Sequence, residues 1–285
     1  MYPLQSQSLT LGYDQEIIID DLNISIPKEK ITVFVGSNGC GKSTLLKSFA
    51  RLIHPKKGSI ILNGEDIRNS PTAEVAKKLS ILPQSPTAPE GMTIYQLVRM
   101  GRYPHQNWLK QWSQTDEDKV IQALTSTNLM PLKDRPVDAL SGGQRQRAWI
   151  AMTLAQDTDI LLLDEPTTYL DLAHQVEILD LLYDLNQQQH KTIIMVLHDL
   201  NLACRYAHHM IAVADKTVFA QGEPTTILTA ETVQHVFGLE CCIASDPLFG
   251  TPICIPYGKG NKVKSKVENK KSAENSTTLL KTSSL

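Results

Sequence analysis

Nothing in this chain of 285 residues approaches the ~18 consecutive apolar residues of a membrane span. Its start, MYPLQSQSLT, also lacks the basic and apolar regions of a secretory leader. A chain that is soluble by itself is therefore expected. Cysteine is scarce: Cys40, Cys204, Cys241, Cys242 and Cys254 are odd in number and show no C-x-x-C spacing. That pattern indicates neither a disulfide framework nor a zinc knuckle and fits a reducing cytosol. A marked excess of one sign of charge is missing as well. A formal net charge of -2 leaves no overall footprint for nucleic acid or an anionic membrane, so no nucleic-acid partner is expected. Repeats at solenoid periods are absent too, which excludes an array architecture.

What is present is an alternation of β-prone runs and helical periods, the pattern of an α/β protein. Ile17 to Ile26 alternates loosely and Gly58 to Leu62 is a second short strand candidate, together suggesting an antiparallel flap. Ile31 to Val35 is a continuous apolar run, followed by a Gly-rich loop and a helical stretch from Lys42 to Leu52 that stops at His54-Pro55. Ile160 to Leu163 and Thr192 to Leu197 are short, apolar and bounded by polar residues, as buried parallel strands should be. Between them Leu172, Val176, Leu179 and Leu182 recur at helical spacing, predicting a helix over Leu172 to Leu185. From Pro86 to Arg135 the β-prone runs vanish and helical periods dominate, as in Asp116 to Thr127. The expected layout is one domain over 1–257, with a helical subdomain inserted at about 86–150. The Lys- and Ser-rich stretch 258–285 has too few apolar residues to order itself.

The chemistry sits in four places. GSNGCGKST, written out as Gly36, Ser37, Asn38, Gly39, Cys40, Gly41, Lys42, Ser43 and Thr44, completes the pattern G-x-x-x-x-G-K-[ST] directly after a strand candidate. Its glycines let the backbone wrap phosphates, and the following helix start adds positive potential. Lys42 is placed to reach the β- and γ-phosphates and Ser43 to offer its hydroxyl to Mg²⁺; Cys40 reads as a small neutral filler. The strand Ile160 to Leu163 ends in Asp164 and Glu165. Adjacent residues of a strand face opposite sides, so Asp164 can hold the metal shell while Glu165 orients or deprotonates a water. Such a pair alone equally well caps a strand in solvent. Gln84 and His198 each follow a strand-like run, where α/β sheets gather ligands, though a surface loop explains Gln84 and a polar strand end His198 too. Finally Ser141, Gly142, Gly143 and Gln144 open a helix with a good N-cap and free backbone N–H groups, a second phosphate-ready helix start. In a chain with one phosphate loop, it suits completion of another copy's site.

Taken in this order, Gly36–Thr44, Leu140–Gln144 and Ile160–Glu165 resemble the Walker A, signature and Walker B segments of ABC transporter ATP-binding subunits, over Leu9 to Pro256. The resemblance implies a P-loop NTPase core with a mainly parallel central sheet, an N-terminal antiparallel β flap and an inserted helical subdomain. It implies ATP and Mg²⁺ as cofactors, with Tyr13 stacking on adenine, Gln84 sensing the Mg²⁺ and the attacking water, Asp171 as the D-loop aspartate and His198 contacting the γ-phosphate. Glu165, His198 and Gln84 form the implied catalytic set, and Ser43, Gln84 and Asp164 the metal set. Two subunits would pack head to tail, the Ser141 and Gly143 of one capping the ATP held by the other. GRYPHQ (Gly101 to Gln106), DEPTTYLDLAHQ (Asp164 to Gln175), VLHDLN (Val196 to Asn201) and SDPLFGTPICIP (Ser245 to Pro256) look like the importers of ferric siderophores, haem and vitamin B12, closest to the ferric-enterobactin type. Ser37, where proline is common, and Thr168-Tyr169, in place of the wider family's Ser-Ala, depart from the pattern without removing a phosphate ligand. Implied partners are an integral membrane permease, docked after Gln84, and indirectly an extracytoplasmic siderophore-binding protein. The implied location is peripheral, on the cytoplasmic face of the inner membrane. Trp108 and Trp112, four apart, fit either that docking segment or one apolar helix face packed inward. The alternatives are a haem or vitamin B12 importer, or a non-transport ABC ATPase acting on DNA or ribosomes.

Overall fold

The computed structural model describes residues 2–106 and 112–259. The chain opens with a hairpin, β1 (Leu4–Tyr13) and β2 (Glu16–Ile26), followed by strand β3 (Ile31–Val35) and helix α1 (Lys42–Phe49). Strands β4 (Lys57–Leu62) and β5 (Glu65–Asp66), helix α2 (Thr72–Ala76) and strand β6 (Leu79–Leu82) come next. Three helices follow, α3 (Ile94–Met100), α4 (Gln114–Ser126) and α5 (Gly142–Ala155). Then strand and helix alternate: β7 (Ile160–Leu163), α6 (Leu172–Gln189), β8 (Thr192–Val196), α7 (Leu200–Tyr206) and β9 (His209–Ala214). Strand β10 (Thr217–Gly222), helices α8 (Pro224–Ile227) and α9 (Ala230–Phe237), and strands β11 (Cys241–Ser245) and β12 (Pro252–Pro256) complete the description. Residues Met1–Ile255 form one compact unit, and every site residue lies within it.

The central sheet has the order β10-β9-β3-β8-β7-β6. Its strands are parallel from β9 to β6, and only β10 runs antiparallel, against β9. All five residues of β3 and of β8 are buried, because both faces of the sheet are covered. Alternation divides them cleanly. Ile31, Val33 and Val35 join one core with Leu161, Leu163, Ile193 and Met195, while Phe34 joins a second with Ile160, Leu162, Ile194 and Val196. The first core is closed by helices α3 to α7, and the second by α1 and the antiparallel sheet β2-β1-β4-β5. The P-loop core and the antiparallel flap therefore stand as the sequence predicts.

Three local expectations need correction. Helix α1 ends at Phe49 rather than Leu52, because Arg51 takes a left-handed conformation (φ 60°) and the Leu52 N–H turns back to Lys47 O at 2.9 Å. Leu52, read as the last apolar step of the helix, is exposed. Helix α6 runs four residues beyond Leu185, to Gln189, through Asn186 and three glutamines, the latter good helix formers, and stops at His190 with φ 53°. Its buried stripe is Ile178, Leu179, Leu182 and Leu185, with Leu172 left in solvent. Trp112 does not belong to a helix; it precedes the Ser113 cap of α4 and donates its indole N–H to Glu117 at 3.1 Å under the Arg99 guanidinium. Trp108 lies outside the described residues, as does the expected tail apart from Gly258 and Lys259.

Candidate nucleotide site

The loop between β3 and α1 owes its shape to glycines at positions no other residue would fill. Gly36 has φ 154°, and a Cβ there would meet Val213 O at 2.4 Å. Gly41 has φ 104° and lies against Ile19 and Ile18, whose side chains would be 2.8 and 2.9 Å from an added Cβ. Lys42 is buried and threads its ammonium into the loop, donating to Gly36 O and Ser37 O, each at 2.8 Å, with Cys40 Sγ at 3.5 Å. Helix α1 begins at Gly41 with no side-chain cap and no acid in its first turn, so its positive end is left to an anion.

The floor comes from β7. Asp164 is 1% exposed; Oδ1 accepts the Ser43 hydroxyl at 2.7 Å, while Oδ2 is buried without a partner among the described residues. Burial pushes its pKa up, against the pull of the Ser43 hydrogen bond and Lys47. Glu165 moves the other way. Burial would raise its pKa, but hydrogen bonds from Thr168, His198 and Gln84 outweigh it and hold the carboxyl below its ordinary range. His198 Nε2 lies 2.7 Å from Oε1, and Gln84 Nε2 and Thr168 Oγ1 donate to Oε2 at 2.5 and 2.9 Å. Glu165 itself has φ 53°, a left-handed conformation costing about 1–3 kcal/mol, of the sort that gathers at functional sites.

Of these groups Gly41, Lys42, Ser43, Gln84, Glu165, Thr168 and His198 line one cavity of about 410 Å³, together with Asn38, Gly39, Thr44, Ile18 and Tyr169, while Gly36, Ser37, Cys40 and Asp164 lie outside the lining. The structure thus unites the loop, Gln84, Glu165 and His198, and sets Asp164 behind Ser43. It does not bring Tyr13, Ser141 to Gln144 or Asp171 into the lining. Tyr13 closes β1 half-exposed. Ser141 caps α5, accepting the Gln144 N–H at 3.3 Å, while the Gln144 side chain accepts the Ser141 N–H at 3.2 Å. Asp171 caps α6, taking the His174 N–H at 2.9 Å and its ring nitrogen at 2.7 Å. The His174 ring packs on Gly143, where an added Cβ would lie 2.3 Å from it.

Thr168 and Ile18 were not among the residues predicted. A hydroxyl three residues after the second acid was the available signal for Thr168. Ile18 carries none, since only the fold of the β1–β2 hairpin over the loop brings it near Gly41.

A phosphate loop between a parallel strand and a helix, facing a carboxylate pair on a strand of the same sheet, defines a P-loop nucleoside triphosphatase. The chain belongs to the ABC transporter family, whose family model matches residues 19–168; it is an ABC-type ATPase. It is 65% identical over 259 residues to an achromobactin transport ATP-binding protein of Dickeya dadantii, covering 91% of this chain and 96% of that one. With a ferric enterobactin transport ATP-binding protein of Escherichia coli it shares 48% over 256 residues, covering 90% and 94%. Among solved structures, an inward-facing ABC transporter assigned to the metal-chelate type matches with TM-score 0.79 and 30% identity, over 90% of this chain and 98% of that one. A dimeric bacterial ABC transporter cassette, MJ0796, matches with TM-score 0.68 and 25% identity, over 77% and 98%.

Proposed function

We propose that this chain is the ATP-hydrolysing subunit that drives import of iron(III)–siderophore complexes, of the catecholate, enterobactin-like class, through an ABC importer. The observation that carries the siderophore class is the 62% identity, over nine-tenths of the chain, to a probable siderophore transport ATP-binding protein of Bacillus subtilis, and the enterobactin-like reading is supported by the 48% to the ferric enterobactin transport ATP-binding protein. In the proposed step Lys42 and the loop N–H groups bind the β- and γ-phosphates. Glu165, already ionised, orients the attacking water and accepts its proton, while His198 meets the γ-phosphate. Tyr13, on the hairpin that carries Ile18, lies against the adenine end. A buried Asp164 oxygen without a partner beside the Ser43 hydroxyl is a hard-oxygen donor set that fits Mg²⁺. Ser43, Asp164 and Gln84 would hold that ion, which would supply charge neutralisation at the phosphates.

Ser141 and Gly142 are exposed at a helix start and absent from the chain's own cavity, so they fit a head-to-tail homodimer in which each signature segment and Asp171 face the partner's nucleotide. No helix among the described residues is long and apolar enough to cross a membrane; attachment to the membrane's cytoplasmic face then runs through the permease. Ser141→Ala should cost about 1 kcal/mol of stability by removing the cap. On the dimer reading it also slows hydrolysis far more than that loss explains. Steady-state ATPase assays beside thermal melts check this, and unchanged turnover speaks against the trans role.

The decisive experiment isolates the chain with its membrane partners, reconstitutes them, and measures hydrolysis with loaded external binding proteins. Stimulation by a ferric catecholate is expected. Stimulation by haem or vitamin B12 instead replaces the substrate class, and recovery with ribosomes or DNA and no integral membrane partner overturns transport.

A further inference from the structure

The three donors to Glu165 are not equivalent. Gln84 arrives from beyond β6 and His198 from the end of β8, so each reaches the carboxylate from a different strand. Thr168 belongs to the same turn as Glu165. Its N–H donates to Glu165 O at 3.3 Å and its hydroxyl to Oε2 at 2.9 Å, closing backbone and side chain in one loop. That loop contains the left-handed Glu165 and buried Pro166, so the carboxylate's direction is set locally. On the function proposed above, Gln84 and His198 have second partners to meet, a metal ion and a phosphate. Thr168 has none.

Resting on that reading, we propose that Thr168 is the positioning residue that keeps the Glu165 carboxylate aimed at the attacking water while Gln84 and His198 turn to the nucleotide. Its hydroxyl donates to a charged acceptor, a class of hydrogen bond about twice as strong as its neutral counterpart.

Thr168→Val removes the hydroxyl and keeps the shape. Its kcat should fall about ten- to a hundredfold with KM nearly unchanged, and Thr168→Ser should restore it. A second readout needs no turnover: in crystal structures with Mg²⁺ and a non-hydrolysable ATP analogue, the Glu165 carboxylate should keep one direction in the wild type and T168S and turn from it in T168V. If T168V folds poorly, T168A read in the same way decides. Wild-type kcat and an unturned carboxylate in these variants, or failure of T168S to restore them, overturns the proposal while leaving the ATPase reading intact. A wild-type chain that does not hydrolyse ATP overturns that reading instead, and the direction of the carboxylate still decides whether Thr168 positions Glu165.

Discussion

Glu165→Gln should lower ATP turnover by about 10²–10⁴-fold, the usual contribution of a positioned base, while ATP binding survives. The amide keeps the size of the side chain but cannot take a proton from water. Nothing in the phosphate cradle depends on it: Lys42 is held by Gly36 O and Ser37 O, and Ser43 by Asp164. Binding without turnover should accumulate the closed head-to-tail dimer, visible by size exclusion in ATP and absent in ADP. Full residual hydrolysis in the variant refutes the assigned base. The sign of the pH dependence follows from the carboxyl's lowered pKa. The acid limb of wild-type activity should therefore lie below the ordinary glutamate range. The same ionised group contributes stability that is present above its unfolded-state pKa and is lost as pH falls through the folded one. E165Q should lack that component of acid sensitivity, which acid titration of unfolding with and without the substitution measures.

Legibility in the sequence followed locality. Gly36 to Thr44 could be read because every group that shapes the loop is inside nine consecutive residues, and the strand before it is apolar throughout. Asp164 and Glu165 were legible as strand-end acids, but their opposite pKa directions were not. One depends on burial beneath the Ser43 hydroxyl and the other on donors drawn from positions 84, 168 and 198. Gln84 and His198 could be placed only as polar residues after strands, since convergence on one carboxylate requires the order β8-β7-β6 at the sheet edge. The signature segment shows the limit from the other side. Its capping box is visible in Ser141 and Gln144, yet its relation to a second copy is a property of an assembly, and the chain alone displays only a well-capped helix. The overrun of α1 in the sequence reading has the same origin. Leu52 continues the apolar pattern, but Arg51 leaves the helix through a left-handed conformation and donates to Ser70 O at 2.6 Å, a contact no local pattern encodes.

Asp164→Asn should abolish metal-supported hydrolysis, by a factor on the order of 10² or more given the several kcal/mol a Lewis acid supplies, and yet stabilise the nucleotide-free chain. The carboxylate is 1% exposed with one oxygen unpartnered, and burial raises its pKa. For an acid whose folded pKa is raised, folding favours the neutral form. The cost is absent below the unfolded-state pKa, grows as pH rises from there to the folded pKa, and is present in full at neutral pH. A neutral amide removes the cost of the charge while its oxygen can still accept the Ser43 hydroxyl; its NH2 takes the place of the unpartnered oxygen, so the gain is only what the charge costs beyond a neutral group. The expected gain is on the order of 1 kcal/mol, the size of one net hydrogen-bond contribution. For a chain of this size that is a rise of a few degrees in melting temperature at neutral pH, shrinking as the pH approaches the unfolded value. The wild type should recover the difference on adding Mg²⁺ with ATP, because binding to the folded state alone stabilises it, whereas the variant should gain less. Melting curves of both proteins at two pH values, with and without Mg²⁺-ATP, check each step. A variant that melts lower than the wild type in the absence of nucleotide shows that Asp164 is a structural strand end, and a variant that hydrolyses ATP normally removes it from the metal site. A gain in stability alongside lost turnover places Asp164 where burial without a partner is tolerated because the ligand supplies one.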